Sequence, residues 1–163
     1  MRGFCLRMKM LSIDQATVVS GWAVFIDGKY TCSGSINLSK CDKESKFDKM
    51  SLSLINLLSD IKPDFVIFEK TALQINTATL ILLSQLQGII MGYCILNNIP
   101  YFIYSPNQWR KQLGFKVGRG IKRNELKAFA QDYVMQTLNK HIDEDEAESI
   151  CMGLAYLKLF EER

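Results

Sequence analysis

The order of strand-like and helix-like segments is the feature that most constrains the fold of this chain. Strand-like segments come first, at residues 7–13, 21–26 and 30–38, and Asp27-Gly28 predicts a hairpin turn between the second and third. Strands and helices then alternate, and helices complete the chain. Hairpins join antiparallel strands, whereas crossover helices join parallel strands. The pattern predicts an α/β fold with a mixed five-stranded sheet, three antiparallel strands followed by two parallel ones, flanked by helices.

Apolar periodicity, caps and breakers place the later elements. Helices are predicted over Lys43–Ile61, Thr77–Leu96, Pro106–Leu113 and about residues 122–138 and 145–160, with strands at residues 65–68 and 101–104. The chain has 163 residues, no internal repeat and no linker rich in proline or glycine. We therefore expect a single domain spanning residues 1–163.

The helix predicted over Thr77–Leu96 has no charged residue and is long enough to cross a bilayer. Polar side chains near its centre and the lack of flanking basic clusters favour a buried helix rather than a membrane span. Ser84, Gly88 and Gly92 recur at every fourth position and form a smooth ridge that another helix can approach closely. We expect the sheet to cover one side of this helix and a second copy of the chain to cover the ridge. The alternative is a helix wholly buried in its own domain.

Charge is unevenly distributed, although the formal net charge is only +3. Residues 107–127 are strongly basic, with Glu125 as their single acidic residue, whereas residues 139–163 are mainly acidic. A basic segment beside an acidic cluster is expected of a nucleic-acid enzyme with a cation site, although two solvated faces would give the same pattern. The candidates for DNA contact are Lys70, Arg110, Lys111, Lys116, Arg119, Lys122 and Arg123.

Cysteine and histidine usage excludes several kinds of site. The five cysteines are scattered and form no CxxC pair, so neither a disulfide framework nor a zinc site is expected. Reduced thiols indicate a cytoplasmic protein. The one histidine, His141, adjoins the acidic cluster, and no nucleophilic triad can be assembled around it.

Acidic residues follow two of the predicted strands. Asp14 comes directly after the first strand and Glu69 directly after the strand at residues 65–68, although either acid alone could simply be the first polar residue after a buried strand. Asp145 and Glu148 are three positions apart and share a face at the start of the last helix, where the helix dipole also favours acids.

Docking of that helix on the sheet would bring these four carboxylates together. Carboxylate oxygens suit Mg²⁺, or Mn²⁺ in its place, and a pair of such ions supports in-line attack on a phosphodiester. The neighbouring Asp143, Glu144 and Glu146 are expected to be solvated.

Four segments, in this order and at family-like separations, resemble the RuvC family of Holliday junction resolvases within the ribonuclease-H-like superfamily. They are LSIDQATVVSGWAVF, VIFEK, NQWRKQLGFKVGRGIK and DEDEAESICMGLAY. The resemblance implies a catalytic, metal-holding acidic tetrad at Asp14, Glu69, Asp145 and Glu148. It also implies functional lysines near the scissile phosphate at Lys111 and Lys122, and a homodimer whose two sites cut opposed strands. For Lys122, a basic residue at the start of an exposed helix is the alternative interpretation.

The sequence departs from the family pattern in three places. The first motif, usually Asp-Pro-Gly-Ser, reads Asp14-Gln15-Ala16-Thr17 here. Lys70 follows Glu69 where the family commonly has Gln, and Ala72 replaces an aromatic wedge. Glu148 stands where Asp is commoner, which lengthens the reach of that ligand.

These observations predict a metal-dependent, structure-selective endonuclease that cleaves Holliday junctions or other branched DNA by two-metal-ion hydrolysis. Alternatives are a ribonuclease-H-like nuclease acting on structured RNA or RNA–DNA hybrids, and a non-catalytic DNA-binding module. The module would not need paired acids on the last helix. An actin-like phosphotransferase would need a second glycine-rich phosphate loop and a longer chain.

Overall fold

A five-stranded sheet forms the centre of the computed structural model, which describes residues 8–72 and 76–161. The strands are β1 (Lys9–Asp14), β2 (Val19–Ile26), β3 (Lys29–Asn37), β4 (Phe65–Glu69) and β5 (Tyr101–Tyr104), in the order β3-β2-β1-β4-β5. β2 is antiparallel to β1 and β3, whereas β4 is parallel to β1 and β5. The predicted mixed sheet is therefore confirmed. Arg7, predicted to begin the first strand, lies outside the described residues.

Helices cover both faces of this sheet. They are α1 (Lys43–Ile61), α2 (Thr77–Leu96), α3 (Pro106–Gln112), α4 (Arg123–Leu138) and α5 (Glu144–Glu161). α1 and α2 share one apolar cluster with the sheet, and α3, α4 and α5 share the other. The bounds of α1 and α2 agree with those predicted, and α5 begins one residue earlier than predicted, at Glu144.

Local sequence signals account for two of the turns that shape the site. Asp27 and Gly28 both have positive φ, 51° and 75°, as the tight β2–β3 hairpin requires. Ser105 and Gln108 form a reciprocal capping box at the start of α3, with Pro106 in its first turn. This cap fixes the direction in which α3 leaves β5.

The two-residue alternation of the strands turns both strand-end acids toward α5. Ser12 faces that side, because its hydroxyl donates to the Ser149 carbonyl in α5 at 2.8 Å. Asp14 lies two residues further along β1 and projects to the same face. Ile67 packs in the cluster beneath α5, so Glu69 projects from β4 to that face as well.

Two glycines allow α5 to lie directly against β2. A Cβ atom at Gly21 would come closer than 3.0 Å to backbone atoms of Asp145, and one at Gly153 would collide with the ring of Phe25. Gly21 is the cross-strand partner of Asp14. The acidic first turn of α5 is therefore seated beside the end of β1.

Among the residues that the structure describes, helix α2 is covered on one face only. Leu86, Ile90 and Cys94 are buried against α1 and the sheet, whereas Ile95 is 63% exposed and Leu96 83% exposed. By length and composition α2 could also cross a membrane. The alternative of a helix wholly buried in its own domain is wrong, because Ile81, Ile95 and Leu96 of α2 are more than half exposed.

Candidate active site

Three carboxylates from β1 and α5 converge at the end of β1. One oxygen from each of Asp14, Asp145 and Glu148 lies within 4.8 Å of the other two. The single turn of helix between Asp145 and Glu148 turns both toward Asp14. A set of carboxylate oxygens without histidine or cysteine suits a hard divalent cation.

Glu69 lies beside this triad, and its backbone and side chain are both held. The Gln15 side-chain amide accepts from the Glu69 N–H at 3.2 Å and donates to its carbonyl at 2.5 Å. The Gln15 side chain thus extends the hydrogen bonding between the parallel strands β1 and β4 by one residue. The Trp109 indole N–H donates to Glu69 Oε1 at 2.9 Å. Ile13 pairs with Phe68, so Asp14 and Glu69 end neighbouring parallel strands. The structure thus places three of the four predicted ligands in one group and the fourth at the end of the adjacent strand.

The pKa values of the strand-end acids show that these carboxyls disfavour ionisation. Burial and the charges of Glu69, Glu148 and Asp145 raise the pKa of Asp14 well above its usual value, and Arg110 opposes them. Burial raises the pKa of Glu69 to about 7, against the hydrogen bond from Trp109 and the charge of Arg110. A cation among these oxygens would relieve the repulsion.

Arg110 supplies positive charge inside this cluster. Its Nη2 lies 2.7 Å from Glu148 Oε1, with the two side chains 14% and 9% exposed. The guanidinium lies 4.7 Å from the centroid of the Trp109 ring. The side chain of Arg110, which its charge made a candidate for DNA contact, is therefore turned inward onto Glu148.

Lys127 of α4 holds the first turn of α5. Its Nζ lies 2.7 Å from Glu144 Oε2 and 3.3 Å from Asp145 Oδ1. The expectation that Glu146 is solvated is wrong, because its Oε1 accepts from the Ser33 hydroxyl of β3 at 2.5 Å and its side chain is half-buried. Glu144 is 51% exposed, as expected of a bystander.

The other residues predicted to contact DNA lie at the surface, one after β4 and the rest from α3 to the start of α4. The exposed ones are Lys70, Lys111, Lys116, Arg119, Lys122 and Arg123. Lys122 caps α4, and its backbone N–H donates to Glu125 Oε2 at 2.7 Å. The charge of Arg123 lowers the pKa of Glu69, so this basic residue acts electrostatically on one of the acids.

Most of this chain aligns in sequence with relatives of known identity. It is 31% identical over 136 residues to the crossover junction endodeoxyribonuclease RuvC of Chlamydia caviae and 30% identical to that of Chlamydia felis. Each alignment covers 80% of this chain and 77% of the relative. The chain belongs to the RuvC family. No protein-family model matches the sequence.

Solved RuvC and resolvase structures have the same fold. Thermus thermophilus RuvC in complex with a Holliday junction substrate superposes with a TM-score of 0.71 at 13% identity, covering 94% of this chain and 96% of that one. Fowlpox virus resolvase in complex with Holliday junction DNA gives 0.66 at 19% identity, covering 94% and 99%. The ribonuclease-H-like fold predicted for this RuvC-family chain is confirmed.

The small-residue ridge of this RuvC-family chain lies on the uncovered side of α2. Ser84 and Gly88 are exposed and Gly92 is partly exposed. Among the described residues, no atom outside the helix lies within 4 Å of a Cβ built at Gly88 or Gly92. The ridge is thus open to a partner helix.

Sequence reasoning missed four residues that organise the site. Gln15, Trp109, Gly21 and Lys127 position the carboxylates but belong to none of the predicted sets. Gln15 carried a signal, because it replaces the family proline directly after Asp14 and, unlike proline, can donate and accept hydrogen bonds. The others carried none, since their roles depend on contacts between elements that are distant in sequence.

Proposed function

We propose that this chain is a metal-dependent, structure-selective endonuclease that hydrolyses phosphodiesters in Holliday junctions or other branched DNA. The convergence of Asp14, Asp145 and Glu148 within 4.8 Å, in a chain of the RuvC family, carries the proposal. The relatives are named crossover junction endodeoxyribonucleases. Two structural neighbours were solved with junction DNA, which supports branched DNA as the substrate.

The proposed cofactor is Mg²⁺, with Mn²⁺ able to replace it and two ions per site. Asp14, Asp145 and Glu148 would hold one ion, and Asp14 with Glu69 would hold the second. The all-oxygen donor set and the raised pKa values of Asp14 and Glu69 both fit such ions. When bound, they supply water activation and charge neutralisation at the leaving oxygen.

The chain itself contributes orientation of the carboxylates. Gln15 and Trp109 hold Glu69 from its backbone and its side chain, and Lys127 holds Asp145. The N-terminus of α5 presents a positive dipole end to the acids of its first turn. These contacts preorganise the ligands before substrate arrives, so little reorganisation is needed during the reaction.

Lys111 and Lys122 are proposed to act near the scissile phosphate, while Lys70, Lys116, Arg119, Arg123 and Arg110 contact the DNA backbone. The contact of Arg110 with Glu148, the charge effect of Arg123 on Glu69 and the exposure of the other basic residues support this assignment. Replacing Lys116 and Arg119 by Ala should weaken junction binding and reduce its dependence on log salt concentration by about 0.9 per lost phosphate contact. An unchanged salt dependence, measured by fluorescence anisotropy, would remove this loop from the binding surface.

A homodimer and a cytoplasmic location complete the proposal. The open ridge of Ser84, Gly88 and Gly92 would pack against the same ridge of a second copy, covering the exposed apolar residues of α2. Two sites in one dimer would cut opposed strands. The cysteines among the described residues are free, which suits a reducing compartment.

One cleavage experiment tests the activity. Labelled four-way junction, flap, duplex, single strand and RNA–DNA hybrid are incubated with Mg²⁺, with Mn²⁺ or with chelator. We expect cleavage of the junction in either metal and no cleavage in chelator. Preferential cleavage of the hybrid would instead support the ribonuclease-H-like alternative, and junction binding without cleavage in any metal would support the non-catalytic module.

A further inference from the structure

Contact with DNA does not explain why the Arg110 side chain points inward onto Glu148. Its guanidinium bonds Glu148 at 2.7 Å, and its charge lowers the pKa of both Asp14 and Glu69. The positive charge of this one α3 side chain thus offsets the negative charge of acids from β1, β4 and α5. A divalent cation bound to the same oxygens would also neutralise this negative charge.

The conformation of Arg110 is held mainly through Glu148. Its Nε is buried and has no hydrogen-bond partner among the described residues, so the guanidinium is incompletely satisfied. The guanidinium also lies over the face of Trp109, a cation–π interaction that is weaker than a charge-assisted hydrogen bond. Loss of Glu148 as a partner would therefore remove the strongest contact that keeps this side chain inside.

Glu148 is also one of the three carboxylates that approach within 4.8 Å. A divalent cation at that position would take up the charge of Glu148 and repel the guanidinium. Arg110 lies on α3 directly before Lys111, which is exposed on the proposed DNA surface. Once released from Glu148, the guanidinium can turn toward that surface, because the arginine side chain is long and flexible.

We infer that Arg110 is a positioning residue with two states: it is the resident counter-ion of Glu148 in the metal-free protein, and it leaves Glu148 for the DNA phosphates when the site takes up metal. The inference rests on the proposed metal-dependent function. It predicts competition between Arg110 and divalent metal, which can be measured without DNA and without cleavage.

Calorimetric titration with MnCl₂ or MgCl₂ alone tests the competition. The Arg110→Met variant keeps an unbranched apolar stem over Trp109 but removes the guanidinium. Because a charge-assisted hydrogen bond no longer has to be broken, Arg110→Met should bind metal about tenfold more tightly than the wild type. Lys140→Met is the matched control for lost charge. Lys140 lies in the α4–α5 linker, with its Nζ over the ring of Tyr30 of β3. The affinity of Lys140→Met for metal should equal that of the wild type.

Tryptophan fluorescence reports the movement itself. The chain has two tryptophans, so a Trp22→Phe background isolates Trp109, whose ring lies 4.7 Å from the guanidinium. Metal should change the Trp109 emission in this background and change it much less when Arg110 is also Met. An equal change in both proteins would assign the signal to Glu69 and overturn the movement of Arg110.

The outcomes separate the inference from the proposed function. Weaker metal binding by Arg110→Met, with normal binding by the wild type, overturns the counter-ion role and leaves the endonuclease proposal standing. Failure of the wild type to bind either metal overturns both. Circular dichroism verifies folding, and Arg110→Gln replaces Arg110→Met in both measurements if the latter does not fold.

Discussion

A single methyl group at Gly21 should separate the α5 carboxylates from Asp14. In Gly21→Ala the new Cβ would lie closer than 3.0 Å to the backbone of Asp145, a separation that real Cβ atoms essentially never show. Backbone cannot swing aside as a side chain can, so the first turn of α5 must retreat. Reaching ordinary contact, which begins at 3.4 Å, takes a retreat of roughly 1 Å or more.

The expected effect on Gly21→Ala follows from that displacement. A misplacement of about 1 Å in a catalytic array costs on the order of 100-fold in rate, so junction cleavage in Mg²⁺ should fall by at least that factor. Overpacking should also lower the free energy of unfolding by about 1–3 kcal/mol. Junction binding should change little, since the exposed basic residues are untouched.

Gly153→Ala is the matched control on the same helix. Its Cβ would collide with the ring of Phe25, away from the acidic turn. We expect a loss of stability similar to that of Gly21→Ala, measured by urea denaturation, with cleavage below the melting transition reduced much less. If Gly21→Ala cleaves junctions at the wild-type rate, the seating of α5 on β2 does not position the catalytic acids and the reasoning is refuted.

Three further predictions concern the acids, pH and the dimer. Asp14→Asn, Glu69→Gln, Asp145→Asn and Glu148→Gln should each abolish or strongly depress cleavage while junction binding persists, whereas the amide variants of Asp143 and Glu144 should remain active. Equal loss in those controls would mean that the ligand positions on α5 are misassigned. The folded-state pKa of Glu69 is raised from 4.5 to about 7, so the native state binds more protons than the unfolded state in that range. In chelator the contribution of Glu69 to stability is therefore full below pH 4.5 and is lost as the pH rises through about 7, so the free energy of unfolding of the wild type minus that of Glu69→Gln should fall over that range when measured by chemical denaturation. Gly88→Leu should block close approach of α2 helices and shift sedimentation toward monomer, and a wild type that is monomeric at micromolar concentration would contradict the dimer.

Local patterns in the sequence were enough to predict the sheet and to place the acids on it. Alternation along the strands and helical spacing in α1 and α2 are set by backbone geometry, so they can be read without knowing the neighbours. The position of Asp14 and Glu69 at strand ends follows from the same patterns. The pair formed by Asp145 and Glu148 follows from helical periodicity alone.

Contacts between distant elements were decided only by the tertiary structure. The charge of Arg110 made it a candidate for DNA contact, and only the docking of α3 beside α5 shows that it pairs with Glu148. Glu146 was expected in solvent, yet β3 brings Ser33 to it across the sheet edge. Residue type and spacing fix which side chains share a face of one element, but the partner of that face depends on how elements far apart in the chain pack together.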